Sequence, residues 1–342
     1  MKKIFFAMIA VAATLASCNK NTDVFTPEVD TTDGAQVRLT LGTDPQTRAF
    51  FSATAAAETW ENEVKSLTLY AFDSSGKLIV KRALTASEVS AKSTSFTLPN
   101  SAAGTNCSFY VVANADYGDV ATATAMDALT EAATLGDYNG TFAETATARK
   151  RTAGFVMTGK STTKIAAAGS STSVSVALKR TVAKVAVRVK MDSSFSASYG
   201  GGGIIINSVK LSKASSASNS FYKTTPATRS SLYEFTQTSK VNGEYFDGCF
   251  YLYENGSLAA GSRVTLTLSG YFDADNSAST TNDRTDVNYT VELTGAGSGE
   301  IKRNGYYRVD ATLKGLSGDS SVVTITAANW ETPVTQTLNL GN

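Results

Sequence analysis

Three features decide which chemistry is open to this chain: a cysteine at position 18, an arginine at position 48, and a complete lack of histidine. Cys18 closes the run Leu15-Ala16-Ser17-Cys18, a lipobox. Small residues there let the chain enter a peptidase cleft, and the thiol takes a diacylglycerol. The start Met1-Lys2-Lys3 supplies the positive flank, and residues 4–15 are an almost unbroken apolar run. That run is shorter than the roughly 20 residues a spanning helix requires. Residues 1–17 are therefore read as a lipoprotein signal peptide; the bland alternative is a buried cysteine behind an ordinary signal peptide. Asn19, in place of an aspartate, favours onward transport to the outer membrane.

The absence of histidine removes Ser-His-Asp and Cys-His catalysis and every His-containing metal site. Cys107 and Cys249, the two cysteines after Cys18, cannot build a Cys-only zinc site. No enzyme activity, cofactor or metal is expected. A carboxylate pair is the one formal catalytic route left, and no cleft-forming pattern supports it. Both cysteines lie in strand-like apolar stretches, so we read them as free core thiols rather than as a disulfide. Near-neutral charge (+1) argues against nucleic acid, whose phosphates need a basic face.

Other motif echoes are weak. Gly295-Ala296-Gly297-Ser298-Gly299 leads into a strand rather than a helix, so it reads as a hairpin loop and not a phosphate loop. Asp273-Ala274-Asp275-Asn276 starts like a calcium loop, but Ala278 replaces its glycine and Arg284 its closing glutamate. Arg149-Lys150-Arg151 reads as a solvated loop tip, or as a secondary protease site.

The elements around these positions are mostly strands. Residues 19–33 look like a polar tether. Residues 36–41 alternate apolar and polar, and Asp44-Pro45-Gln46-Thr47-Arg48-Ala49 then forms an exposed loop. Further strands are expected at 64–72, 95–98, 108–113, 155–158 and 172–178, with one helix over residues 126–135. A second set opens at 182–189 and continues at 204–211, 250–253, 263–272, 287–293, 306–313 and 322–327. Short strands at regular spacing indicate β-sandwiches. A chain of 342 residues fits two domains. We expect a tether and removable first strand over 18–48, an N-terminal sandwich over 49–181 and a C-terminal one over 182–342. One more strand, 334–340, follows where the second sandwich would already be complete.

The two ends invite comparison. Val37, Leu39 and Leu41 form one apolar face of a strand upstream of Arg48. Val334, Gln336, Leu338 and Leu340 occupy alternate positions of the terminal strand, all but Gln336 apolar. Both could be ordinary edge strands. The functional alternative makes them competitors for one groove: cutting between Arg48 and Ala49 releases the first, and a neighbour's terminal strand replaces it.

Several stretches are similar to signatures of the Bacteroidales-type fimbrillins. They are Phe109-Tyr110-Val111-Val112-Ala113-Asn114-Ala115, Phe155-Val156-Met157-Thr158-Gly159 and Leu178-Lys179-Arg180-Thr181-Val182-Ala183-Lys184-Val185. Tyr251-Leu252-Tyr253-Glu254-Asn255, Arg303-Asn304-Gly305-Tyr306-Tyr307-Arg308-Val309 and Ala328-Asn329-Trp330 extend the likeness in the same order. The resemblance implies two transthyretin-like, Greek-key sandwiches and a shaft subunit of a surface fimbria. It further implies a lipidated precursor in the outer membrane, cut by an arginine-specific protease, with the C-terminal strand as donor. Expected partners are other copies in a filament, accessory anchor and tip subunits, and host or bacterial surface ligands. The rival is a lipid-anchored adhesin, or a tip or anchor protein, binding glycan or host protein; paired tyrosines such as Tyr306 and Tyr307 would then be candidates for stacking on sugars.

Overall fold

The computed structural model describes residues 34–43, 59–131, 154–226, 232–242, 246–295, 297–316, 328–329 and 334–340. The signal segment, Cys18, Arg48, Ala49, the tip 149–151 and the strand expected at 322–327 lie outside them.

The chain is mostly β. Its first part forms β1 (Ala35–Thr43), β2 (Leu67–Phe72), β3 (Leu78–Ala83), β4 (Ser93–Leu98), β5 (Asn106–Ala113), β6 (Thr130–Glu131), β7 (Met157–Lys164) and β8 (Ser171–Arg180). The second forms β9 (Val182–Met191), β10 (Gly203–Ser215), β11 (Ser218–Asn219), β12 (Leu232–Asn242), β13 (Phe246–Tyr253), β14 (Thr265–Asp273), β15 (Arg284–Glu292), β16 (Gly305–Leu313), β17 (Ala328–Asn329) and β18 (Val334–Leu340).

Seven strands make the first sheet, in the order β3-β2-β5-β7-β8-β1-β4. β7 and β8 pair only at Met157–Arg180 and Thr158–Lys179, and the sheet folds over there. The layer β8-β1-β4 then faces the layer β3-β2-β5-β7, with Phe96 of β4 and Phe109 of β5 meeting edge to face at 6.4 Å. In β8 the alternation is strict: Thr172, Val174, Val176 and Leu178 point inward between exposed neighbours. The second sheet has the order β15-β14-β10-β13-β9-β16-β17, with β12 also on β10 and β18 on β16. β10 and β13 touch only at Ser215–Tyr253, which again leaves two layers with buried side chains between them. The chain passes from one sheet to the other at Thr181.

Helix is scarce and differs from expectation. The helix read over 126–135 is α2 (Ala123–Ala128), capped at its start by the Thr122 side chain. Leu129 is already extended, and Thr130 and Glu131 pair with Ser218 and Asn219 of β11 instead of continuing the helix. An earlier helix, α1 (Ala86–Ala91), forms through a capping box between Thr85 and Glu88 and buries none of its residues. A single turn, α3 (Phe195–Ser198), follows β9. Cys107 and Cys249 are buried free thiols, and burial pushes the Cys107 thiol up.

Candidate functional site

β1 is an interior strand. It runs antiparallel to β4, with Val37 opposite Phe96 and Leu39 opposite Thr94, and parallel to β8, with Leu39 opposite Val174 and Leu41 opposite Val176. From Ala35 to Leu41 its odd positions are apolar and enter the core: Val37, Leu39 and Leu41 are at most 5% exposed, while Gln36, Arg38 and Thr40 face out. Burying each of these three side chains contributes roughly 1.5–3 kcal/mol. The entry to β1 is tight, since a Cβ on Gly34 would stand 2.1 Å from the Thr97 methyl and 2.5 Å from the Leu98 carbonyl oxygen.

The chain re-enters the described structure at a short 3-10 turn, Thr59–Asn62, and this turn is clamped. Glu61 is fully buried and pairs with Lys184 of β9 at 2.8 Å, neither side chain being exposed. The Tyr251 hydroxyl donates to the same carboxylate. Arg180 Nε donates to the Glu61 carbonyl at 2.9 Å, its Nη1 donates to Asn304 Oδ1 at 2.9 Å, and its Nη2 donates to Asn62 Oδ1. Burial opposes the charge on Lys184, but the Glu61 carboxylate outweighs it and holds the ammonium above the usual lysine range. Burial, reinforced by Cys249 and Glu61, pushes the Tyr251 hydroxyl well up. Burial also raises Tyr306 to about 12. Asn114, in the left-handed region at φ 63°, secures the next residues by donating to the Glu63 carbonyl at 2.7 Å and accepting from Lys65 N–H at 2.8 Å. Stretches far apart in sequence, around Asn114, Arg180, Lys184, Tyr251 and Asn304, thus converge on one short turn.

β18 lies at the other end of the molecule's strand order. Among the described strands it pairs with β16 alone, in parallel, from Val334 opposite Tyr307 through Gln336 opposite Val309 and Leu338 opposite Ala311 to Leu340 opposite Leu313. β16 in turn runs parallel to β9. β1 and β18 therefore share one habit: each lies parallel to a longer strand whose alternate side chains are buried. β18 has seven residues against nine in β1.

The remaining candidates resolve differently. Tyr306 and Tyr307 are each 1% exposed, so neither offers a ring face to a sugar. Gly297 and Gly299 both donate N–H to the Thr294 carbonyl in a turn, and Gly295 bridges to Glu300. Asp273, Asp275 and Asp283 do come together, but the Arg284 guanidinium donates to Asp273 at 2.9 Å and occupies that carboxylate. The Glu61 clamp escaped sequence reading because an isolated glutamate in Thr59-Trp60-Glu61-Asn62 carries no pattern.

The fold is mostly β, two layered sheets of sandwich type joined at Thr181. A family model, the fimbrillin-A associated anchor proteins Mfa1 and Mfa2, matches residues 21–335. The chain belongs to that family, and so to the proteins of cell-surface fimbriae. Solved structures repeat the fold at low identity. A cell adhesion protein from Bacteroides eggerthii is similar at 17% identity and TM-score 0.58, covering 90% of this chain and 98% of that one. A fimbrilin from Porphyromonas gingivalis is similar at 15% identity and TM-score 0.56, covering 91% and 99%. No protein of curated function matches the sequence. The family and these relatives are fimbrial and adhesion proteins, not enzymes.

Proposed function

We propose that this fimbrial protein is a shaft subunit, exported as a lipoprotein acylated at Cys18 and cut between Arg48 and Ala49. Its assembly proceeds by strand exchange, the C-terminal strand of one copy replacing β1 of the next. The observation that carries this reading is the place of β1: a buried, interior strand separated from the clamped turn at Glu61 by the segment that contains Arg48.

While β1 is covalently tethered, its effective concentration at its own slot is on the order of millimolar, which shuts out a competitor. A cut at Arg48 leaves it held by ladder bonds and three apolar side chains alone. Its departure opens the facing edges of β8 and β4 together with pockets spaced two residues apart. An incoming strand regains both. Slot and donor occupy different surfaces of one copy, so the contact is heterologous and propagates instead of closing. In this reading residues 49–181 and 182–342 are the two domains, and residues 18–48 are discarded with the lipid. Accessory anchor and tip subunits, an arginine-specific protease and surface ligands are its partners.

The family description favours a second reading, in which the chain is the anchor and keeps its lipid at Cys18. Treating the purified precursor with an arginine-specific protease tests the first. Ladders resistant to mild denaturation are expected, and they should vanish when residues 334–342 are deleted although the monomer still folds. Ladders that persist in the deletion would refute the donor assignment.

A further inference from the structure

A cleft of about 450 Å³ lies away from both exchange strands, where the outer face of β7 and β8 meets the stretch after β11 and the turn before β16. Thr158 and Lys160 of β7 and Ala177 and Lys179 of β8 form its floor; Tyr222, Lys223 and Arg303 stand around it. Its size fits a small organic ligand.

The walls have a definite chemistry. Tyr222 is 60% exposed, the one aromatic among the described residues whose ring stands so far open. The Arg303 guanidinium lies 5.9 Å from its ring centroid. Arg303 is itself buried and immobilised, donating to Glu254 at 3.0 Å, to Ser218 Oγ at 3.0 Å and to the Ser220 carbonyl at 3.2 Å. A fixed cation beneath an aromatic ring orients that ring and leaves a solvated face above it. Lys160 leans on Asp127 at 2.8 Å and Lys302 lies 3.5 Å from Glu300. Lys179 and Lys223 have no carboxylate partner among the described residues. The cleft thus joins an open aromatic platform to two ammonium groups that no described carboxylate pairs with.

We propose that this cleft binds an acidic sugar, a carboxylated or sulfated glycan of about two rings. The C–H face of a pyranose is apolar and lies against the Tyr222 ring, which has an apolar body. The acid group pairs with Lys179 and Lys223, and the exposed Thr224 hydroxyl stands within the same wall for the sugar's edge. An acidic peptide is the poorer occupant, since its carboxylates could pair with the lysines but it sets no flat apolar face against the Tyr222 ring. The site is independent of strand exchange, and a filament would display it once per subunit, adding avidity to a weak single contact.

Titration calorimetry on the full processed chain tests this with three probes: a heparin disaccharide bearing carboxylate and sulfates, neutral cellobiose, and hexaglutamate. The heparin disaccharide should bind, more weakly as salt rises, and cellobiose should bind at least about tenfold more weakly. Tyr222→Ala, and separately the pair Lys179→Ala with Lys223→Ala, should each weaken it by about tenfold. These side chains lie at the surface, and circular dichroism should show unchanged folding. No binding of the disaccharide, or binding indifferent to Tyr222, would overturn the proposal. Hexaglutamate binding as tightly without need of Tyr222 would replace it with an acidic-peptide site.

Discussion

Glu61 and Lys184 form a 2.8 Å ion pair with no solvent exposure, and through it the first described turn downstream of Arg48 is fixed to β9 of the second sheet. The segment that contains Arg48 therefore runs between two unlike attachments. Upstream is a strand that can leave by breaking one set of ladders. Downstream is a turn held by a buried charge, an arginine and a tyrosine. In the proposed maturation, a cut between them would free the strand and leave the turn clamped.

The clamp gives a first prediction. Glu61→Ala strands the Lys184 ammonium in the interior and should cost roughly 3–5 kcal/mol in urea unfolding. Glu61→Leu combined with Lys184→Met should recover most of that loss, because an apolar pair needs no mutual charge. A Glu61→Ala variant as stable as the parent would remove the clamp from the account.

Alkaline stability follows from the buried tyrosines. Burial raises Tyr70 and Tyr306 to about 12, while an unfolded tyrosine ionises near ~10. The folded state thus favours the neutral phenol. Its contribution is complete below the unfolded value and is lost as pH rises from there through about 12. Lys184, also raised, stays charged across the neutral range. Stability should be flat through neutral pH and fall across that alkaline window, and the fall should be smaller in a variant carrying Tyr70→Phe and Tyr306→Phe. An equal fall in that variant would contradict it.

Leu39 separates precursor from product. Leu39→Ala should lower the precursor's unfolding free energy by about 2–5 kcal/mol, and should speed β1's release after cleavage. In the assembled, processed filament it should have no effect, because Leu39 is then absent. A filament destabilised by Leu39→Ala would mean that β1 stays in place.

Much of the strand order was legible because half-buried strands announce themselves by alternation. β1, β8 and β14 are found within a few residues of where the pattern puts them. β3 was hidden because most of its residues are only partly buried. α1 was hidden because it buries nothing and so has no apolar face. The helix expected over 126–135 fails for a tertiary reason: β11, some ninety residues downstream, captures Thr130 and Glu131 as a strand. Lys184 shows the same limit in the candidate site. Alternation in β9 marks it as outward-facing, but that face is covered, and the partner that makes its burial tolerable is 123 residues away in sequence. Tyr222 carried no signal either, since an exposed ring over a buried arginine is a relation of three dimensions.

The central claim is that residues 18–48 leave the molecule on maturation. N-terminal sequencing of the polymerised, surface-exposed protein tests it most directly. A chain that begins at Ala49 is expected; a chain that begins at an acylated Cys18 would refute the cleavage.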